Sequence, residues 1–129
     1  MDRSEEFYDD TYHFNAVKQN SSNDFTIPFL GKEEEVEEVT AGCGCTNLKF
    51  KNRVITGTFQ EQTRFSSIAD IEHYQKTYPN KYMPFIKTIT VFYKDGKPLK
   101  VINEFGNEVW NPEKEQYTLY LKGFVKLAI

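Results

Sequence analysis

The sequence predicts an all-β fold, and three observations lead to this prediction. The chain contains eleven Phe and eight Tyr, and aromatic residues make up 16% of it; such side chains suit the half-buried surface of a strand better than a helix. Five Pro, seven Gly and many Asn, Asp and Lys residues interrupt the chain at short intervals, as turns do between strands. The stretches between the turns number about seven, which is typical of an immunoglobulin-like β-sandwich.

One domain is expected, because a chain of 129 residues is long enough for one core and too short for two. Its net charge of −3 is unevenly distributed. Residues 1–40 carry eleven acidic and three basic side chains, whereas residues 41–129 carry eight acidic and thirteen basic ones. The two parts of the chain are therefore opposite in charge.

The first residues are predicted to form an acidic N-terminal arm over 1–22, followed by the sandwich over 23–129. The arm is rich in aromatic residues, namely Phe7, Tyr8, Tyr12 and Phe14. An inert tail does not need so many aromatic side chains, so we expect part of the arm to lie against the body or against a neighbouring molecule.

The first strands of the sandwich are predicted between residues 24 and 59. Phe25, Ile27 and Phe29 alternate with polar residues, and Pro28 favours an edge strand or a bulge because proline donates no hydrogen bond to the ladder. The glutamate-rich stretch that follows is expected to be a solvent-exposed turn and strand face. Two further strands are predicted. The expected inward residues are Leu48 and Phe50 in the first, and Phe59 with either Val54 or Ile55 in the second.

A short helix is predicted over residues 66–78, as an insertion between strands. Ser67 is followed three positions later by Asp70, which is a helix-capping pattern, and Pro79 cannot continue a helix. Helical spacing is shown by Ile68, Ile71, Tyr74 and Tyr78.

The last third of the chain has the clearest strand pattern. Over residues 85–93 the side chains are assigned to two alternating faces, and Lys94-Asp95-Gly96-Lys97 is a turn signal. One face carries Ile86, Thr88, Thr90 and Phe92, and the other carries Lys87, Ile89, Val91 and Tyr93. We therefore expect residues 98–105 to pair with 85–93 as a hairpin. A long terminal strand is predicted over 116–129.

Both cysteines lie in the motif Ala41-Gly42-Cys43-Gly44-Cys45-Thr46. Two cysteines one residue apart on a strand are about 6.5 Å apart between Cα atoms, at the limit for a disulfide. A zinc site needs four ligands, and only His13 and His73 could join the thiols. Redox pairs usually have two residues between the cysteines. We therefore interpret the thiols as packing beside glycines, with a metal or redox centre as the alternative.

No other catalytic pattern is present. His73 is adjacent to Glu72, but neighbours on a helix point in different directions, so no dyad is predicted. No glycine-rich phosphate loop leads into a helix. The lysines alternate with apolar residues, as on any exposed strand, and this pattern with an overall acidic charge does not favour nucleic-acid binding. We predict that the protein is not an enzyme and needs neither cofactor nor metal.

The sequence pattern also bears on location. The residues after Met1 lack the basic and apolar regions of a secretory signal, and no apolar run approaches the length of a membrane span. We therefore expect the protein to be made and kept in a cytoplasm, without membrane contact.

The motif Cys43-Gly44-Cys45-Thr46, followed by "KTITVFYKDG" and "YTLYLKGFV", resembles an uncharacterised immunoglobulin-like domain family. That family is common in Bacteroidetes, has a Cys-Gly-Cys-Thr signature at the end of an early strand, and is related in fold to PapD-like and major-sperm-protein-like sandwiches. Members usually carry a secretion or lipoprotein leader, and the acidic arm has no counterpart in them. A version without a leader is similar to the immunoglobulin-like structural proteins of tailed phages.

The expected function is therefore a non-catalytic protein–protein interaction module. The resemblance implies an auxiliary or decoration component of a bacteriophage virion, bound to capsid or neck proteins. The arm and the helical insertion are the predicted docking elements, through Phe7, Tyr8, Tyr12, Phe14, Tyr74 and Tyr78. The alternative is a cell-surface or periplasmic carbohydrate-binding module that uses Trp110, Tyr117 and Tyr120.

Overall fold

The computed structural model describes residues 6–29, 31–42 and 44–129, with the side chain of Glu6 outside the described set. The strands are β1 (Glu6–Tyr8), β2 (Thr11–Lys18), β3 (Ser22–Pro28), β4 (Val36–Ala41), β5 (Cys45–Lys51), β6 (Val54–Gln60), β7 (Tyr82–Tyr93), β8 (Lys100–Ile102), β9 (Glu108–Trp110) and β10 (Gln116–Lys126). One helix, α1 (Ile68–Thr77), lies between β6 and β7, and a 3₁₀ turn (Glu33–Glu35) precedes β4.

The strands form a two-layered sandwich. One sheet has the strand order β1-β2-β10-β7-β4 and the other has the order β3-β6-β5. If the hairpin β8–β9 and the short β1 are set aside, seven strands remain, in the arrangement of an immunoglobulin-like sandwich. The first of them, β2, runs parallel to the last, β10. The predicted all-β sandwich with one inserted helix is thus confirmed.

The core lies between the two sheets. Ile27 and Ile55 from the three-stranded sheet are fully buried, as are Ile89, Leu121 and Val125 from the five-stranded sheet. Aromatic rings fill the remaining space, with Phe59 stacked on Phe85 at 4.8 Å between ring centroids. The predicted inward positions Ile55 and Phe59 are confirmed, and β3, which contains Pro28, is an edge strand as expected.

Residues 6–22 belong to the sandwich, which corrects the predicted arm over residues 1–22 for that part of it; residues 1–5 lie outside the described residues. Residues 11–18 form β2, which pairs with β10 along its length, and Tyr12, Phe14 and Val17 are buried in the core. Between Phe14 and Val17 the inward pattern slips by one residue, because the pairing of β2 with β10 shifts register there. Such a bulge adds one residue to one strand, and it hides the alternation from a sequence reading.

The helix forms where it was predicted. The Ser67 hydroxyl accepts a hydrogen bond from the backbone N–H of Asp70 at 3.2 Å, and the Asp70 carboxylate accepts one from the N–H of Ser66 at 3.0 Å. Tyr74 and Tyr78 pack partly against the core. The capping pair therefore fixes the start of α1, and its tyrosines hold it against the sandwich.

The predicted hairpin between 85–93 and 98–105 is wrong. Strand β7 pairs with β10 on one side and β4 on the other, so both of its edges are occupied. The segment after the turn instead forms β8, which pairs with β9. The turn signal at Asp95 was real, but the long-range partners of β7 determine the pairing.

The segment between β7 and β10 is held by a buried lysine. The Lys114 ammonium lies 2.5 Å from the Glu37 carboxylate and 2.8 Å from the Asp95 carboxylate, and it donates to the Lys97 carbonyl at 3.2 Å. The Lys114 side chain is 1% exposed. We call these four groups the lysine clasp. The clasp ties β4, the turn after β7 and the residues before β10 together.

Candidate functional site

The strongest candidate for a functional surface is the outer face of the five-stranded sheet. Here the outward residues of β7 lie beside those of β10, with Ile86 opposite Lys122, Pro84 opposite Phe124 and Tyr82 opposite Lys126. Directly opposed residues of antiparallel strands point to the same side of a sheet. Both α1 and the three-stranded sheet pack against the inner core, so this part of the outer face is not covered by them.

The outer face contains an apolar groove, which we call the open groove. Its volume is about 590 Å³, and its outward lining is formed by His13, Pro84, Ile86, Lys122 and Phe124. Ile86 is 53% exposed and Phe124 is 50% exposed. The inward-facing Phe14, Phe85 and Gly123 complete the lining. Large apolar side chains are thus grouped on a surface where an ordinary sandwich carries polar residues.

The groove has a basic rim. Lys122 lies directly beside Ile86 in the ladder, and Lys126 lies beside both Tyr82 and Lys18. All three lysines are exposed. We consider the stretch of the outer face that runs from the Thr88–Tyr120 pair to the Tyr82–Lys126 pair. No described outward side chain of β2, β7 or β10 in this stretch is a carboxylate. The described charged side chains on this stretch of β2, β10 and β7 are therefore all basic, on a protein whose net charge is −3.

His13 lines the groove, and Tyr8 packs against His13. Their rings are stacked, with centroids 4.1 Å apart and planes 15° apart. The Nε2 atom of His13 is buried, and in the described part of the chain it has no hydrogen-bond partner. Tyr8 is 49% exposed, so its ring adds apolar surface beside the groove.

The other end of the outer face is covered. Phe92 points outward from β7 but is only 1% exposed, because Trp110 of the β8–β9 hairpin stacks on it with centroids 5.2 Å apart. The Lys100 ammonium lies 4.6 Å from the Trp110 ring centroid and 3.5 Å from Glu108. We call this the covered end.

The second half of the cysteine motif, Cys45 and Thr46, lies in β5 of the three-stranded sheet. Cys43 is outside the described residues. Gly44 adopts a positive φ of +95°, and a Cβ there would lie 3.5 Å from the Phe59 ring. Thr46, the last residue of the motif, is exposed, and its hydroxyl lies 3.4 Å from the side-chain amide nitrogen of Gln60. Gly44 is thus the position in the motif where a side chain is unfavourable.

Cys45 is half-buried and packs against the core, opposite Phe59 in the ladder. Burial raises the pKa of the Cys45 thiol, although the nearby charge of Lys87 acts in the opposite direction. A raised pKa means that the unreactive thiol form dominates at neutral pH. Within the described ranges, no group of three or more His, Cys, Asp or Glu residues is arranged to hold a metal ion. The geometry of Cys45 is that of a packing residue.

The six predicted partner-binding residues are not brought together. Tyr12 and Phe14 are buried in the core. Of these two, only Phe14 contributes to the inner lining of the open groove. Phe7, Tyr74 and Tyr78 are partly buried and pack against the same core. Tyr8 alone of the six lies exposed beside the open groove.

The three residues of the carbohydrate alternative do not share a platform either. Trp110 is 43% exposed but stacks on Phe92. Tyr120 is also on the outer face, but it lies four residues along β10 from Gln116, the residue that pairs with Phe92. Four residues of a strand span roughly 13 Å. Tyr117 points inward, with its ring 6.0 Å from Phe29. A sugar ring could not stack on all three.

The sequence did contain one signal for the open groove. Ile86 directly follows the inward-facing Phe85, and Phe124 directly precedes the inward-facing Val125, so apolar residues occupy successive positions on both faces of these strands. An antiparallel strand with one solvated face normally alternates, so these apolar residues on the second face were the sign of a further contact. No signal identified Lys114, because a buried lysine looks like an exposed one in sequence.

The described part of the chain contains no helix that is long and apolar enough to cross a membrane. No family model, curated protein or solved structure matches this chain. The resemblance of the Cys43–Thr46 motif to an immunoglobulin-like family therefore stays a prediction, and the functional argument depends on the surface.

Proposed function

We propose that this protein is a non-catalytic protein–protein interaction module that docks through the open groove. The observation that supports this is that Ile86 and Phe124 are both about half exposed, whereas Phe92 at the other end of the same face is covered. Clustered apolar side chains on a soluble domain mark contact sites more often than isolated ones do.

The size of the groove indicates what else belongs to the interface. A stable interface buries about 800 Å² on each partner, which two side chains cannot supply. The exposed rings beside the groove would complete the area, namely Tyr8, Tyr82 and Tyr120. Tyrosine is also favoured in interface centres, because it combines a large apolar ring with a hydroxyl.

We further propose that the module is an auxiliary or decoration subunit of a tailed-phage virion. An immunoglobulin-like sandwich with one uncovered apolar face suits a subunit that adds to a preformed shell. The resemblance of the cysteine motif supports the same assignment. The predicted docking elements are replaced here by the open groove. Of the six predicted partner-binding residues, Tyr8 lies exposed beside the groove and Phe14 forms part of its inner lining.

The test uses purified particles. Phage particles from the source culture are sedimented through a density gradient, and each fraction is assayed for this protein and for shell proteins by mass spectrometry. We expect the protein to sediment with intact shells. If it stays at the top of the gradient while shells sediment, the virion assignment is overturned.

A second experiment tests whether the open groove is the docking surface. Particles lacking the protein are incubated with wild type, with Phe124→Asp or with Phe105→Asp. Phe105 is 77% exposed on the β8–β9 turn and serves as the matched control. We expect Phe124→Asp to reduce binding at least about tenfold and Phe105→Asp to bind as wild type. Equal binding of all three would show that the open groove is not the docking surface.

A further inference from the structure

We propose that the partner segment bound by the open groove is acidic and carries an aromatic or aliphatic anchor side chain. This inference rests on the proposed function and names the chemistry of the partner. The anchor would lie between Ile86 and Phe124, and the carboxylates would pair with Lys122, Lys126 and Lys18.

The spacing of the basic rim supports an extended partner. Along β10, Phe124 has Lys122 two residues before it and Lys126 two residues after it, all on the outer face. Each lysine Cα is therefore about 7 Å from that of Phe124. In an extended peptide, residues two positions either side of an anchor are also about 7 Å from it. An acidic residue on each side of the anchor matches both lysines.

Charge also argues against a second copy of this chain. In a face-to-face dimer with twofold symmetry, the same surface meets itself, so the lysines around Phe124 would oppose the lysines of the other copy. In the acidic stretch of this chain over residues 33–38, at least two of the five glutamates already have partners, since Glu33 accepts from the Asn52 N–H at 2.6 Å and Glu37 belongs to the lysine clasp. The only apolar residue within it, Val36, packs against the core.

Phosphate-rich partners fit less well. Nucleic acid and anionic lipid headgroups would pair with the lysines, but three lysines contribute only about 1 kcal/mol each at an anionic surface. Neither headgroups nor a phosphate backbone offers a single apolar side chain to the groove between Ile86 and Phe124. A protein segment satisfies the apolar and the charged parts together.

The experiment is a selection from a random 12-residue peptide library displayed on beads, against the full chain. Peptides that bind wild type are counter-selected against Phe124→Asp, and the remainder are sequenced. We expect enrichment of Asp and Glu, with at least one aromatic or aliphatic residue between acidic positions. Enrichment of basic or purely apolar peptides, or no enrichment, would overturn the inference.

A selected peptide is then labelled and its Kd measured by fluorescence anisotropy. We expect Lys122→Glu to weaken binding roughly tenfold and more salt to weaken binding to wild type. The matched control is Lys94→Glu, a charge reversal at an exposed lysine at the opposite end of β7; it should leave the Kd unchanged. Equal effects of both reversals would contradict a specific acidic contact.

Two further measurements test the alternative occupants of the open groove, which are a second copy of the chain and a phosphate-rich partner. Sedimentation equilibrium that shows a dimer dissociated by Phe124→Asp would assign the groove to a second copy. Binding to phosphatidylserine vesicles or to single-stranded DNA that is lost in Phe124→Asp would assign it to a phosphate-rich partner. Either outcome overturns the inference. If Phe124→Asp abolishes particle binding while Lys122→Glu does not, the proposed function stands and the acidic partner alone fails.

Discussion

The two ends of the outer sheet face differ in one respect, which is whether the protein covers its own apolar side chains. At the covered end, Phe92 is 1% exposed beneath Trp110. At the open groove, Phe124 is 50% exposed on the next strand of the same sheet. Both are phenylalanines on outward positions of long central strands, so the local sequence does not explain the difference.

The difference lies in the connection between β7 and β10. This segment folds back as the β8–β9 hairpin, and the lysine clasp fixes its base to β4. Asn111 is buried and donates to the Pro98 carbonyl at 3.0 Å, which holds the end of the hairpin. Residues 94–115 thus cover one end of the face, whereas none of the described elements covers the open groove. A partner bound at the open groove would account for this difference.

The largest difference between the ends should appear in stability. We expect Phe92→Ala to lower the free energy of unfolding by about 3 kcal/mol, because a buried phenylalanine leaves a cavity. Phe124→Ala should cost less than about 1.5 kcal/mol, because half of the ring already contacts water. Urea unfolding followed by circular dichroism measures both. Equal losses would mean that Phe124 is part of the core and not of a docking surface.

The lysine clasp should be the next most sensitive feature. Lys114→Met removes the cation between Glu37 and Asp95, and the two carboxylates then repel each other. We expect a smaller loss than for Phe92→Ala, because both carboxylates retain some access to water. Hydrogen exchange should increase over residues 94–115 and remain unchanged in β3. Lys122→Met, at an exposed lysine, is the control, and a uniform increase across the chain would contradict a local clasp.

Removing the Trp110 side chain should expose Phe92, so that the covered end resembles the open groove. Trp110→Ala exposes Phe92 and should lower the free energy of unfolding by about 1 kcal/mol, because the tryptophan is itself only partly buried. Binding of the dye ANS should rise compared with wild type. Phe105→Ala on the same hairpin should not change dye binding, because the Phe105 ring is already largely in water. Unchanged dye binding in Trp110→Ala would show that Trp110 does not shield Phe92.

Much of the sandwich could be predicted from local patterns. Alternation identified β3 and β7, and the pair Ser67 and Asp70 located the start of α1, because both signals depend on neighbours in sequence. Strand β2 was missed since its bulge breaks the alternation between Phe14 and Val17. Its acidic surroundings also favoured a solvated arm.

The candidate site was less predictable, because its residues are far apart in sequence and come together only in the folded sheet. The hairpin prediction failed because β7 bonds to strands far from it in sequence, and a local turn signal carries no information on them. The open groove requires that Ile86, Phe124 and His13 come from three strands joined in one sheet. The lysine clasp likewise combines Glu37, Asp95 and Lys114, which no spacing relates.

Acid should loosen the covered end selectively, which is the smallest of the expected effects. The hydrogen bond from Lys114, together with the backbone N–H groups of Glu115 and Lys97, holds the pKa of Asp95 well below its ordinary value of 3.8. Above that ordinary value, Asp95 is ionised in both the folded and the unfolded chain, and its full contribution to stability is present. As the pH falls below it, the unfolded chain takes up a proton that the folded chain does not, so the contribution is progressively lost.

The measurement is a series of urea unfolding curves from about pH 7 to about pH 3, read by the fluorescence of Trp110, the single tryptophan of the chain. Asp95→Asn should be less stable than wild type at neutral pH and should lose less on acidification, since Asn does not titrate. Glu104→Gln, at an exposed residue of the same hairpin, should follow the wild-type slope. If Asp95→Asn also keeps the wild-type slope, the acid sensitivity comes from other carboxylates. In that case the lysine clasp would not explain why the covered end is closed and the open groove is not.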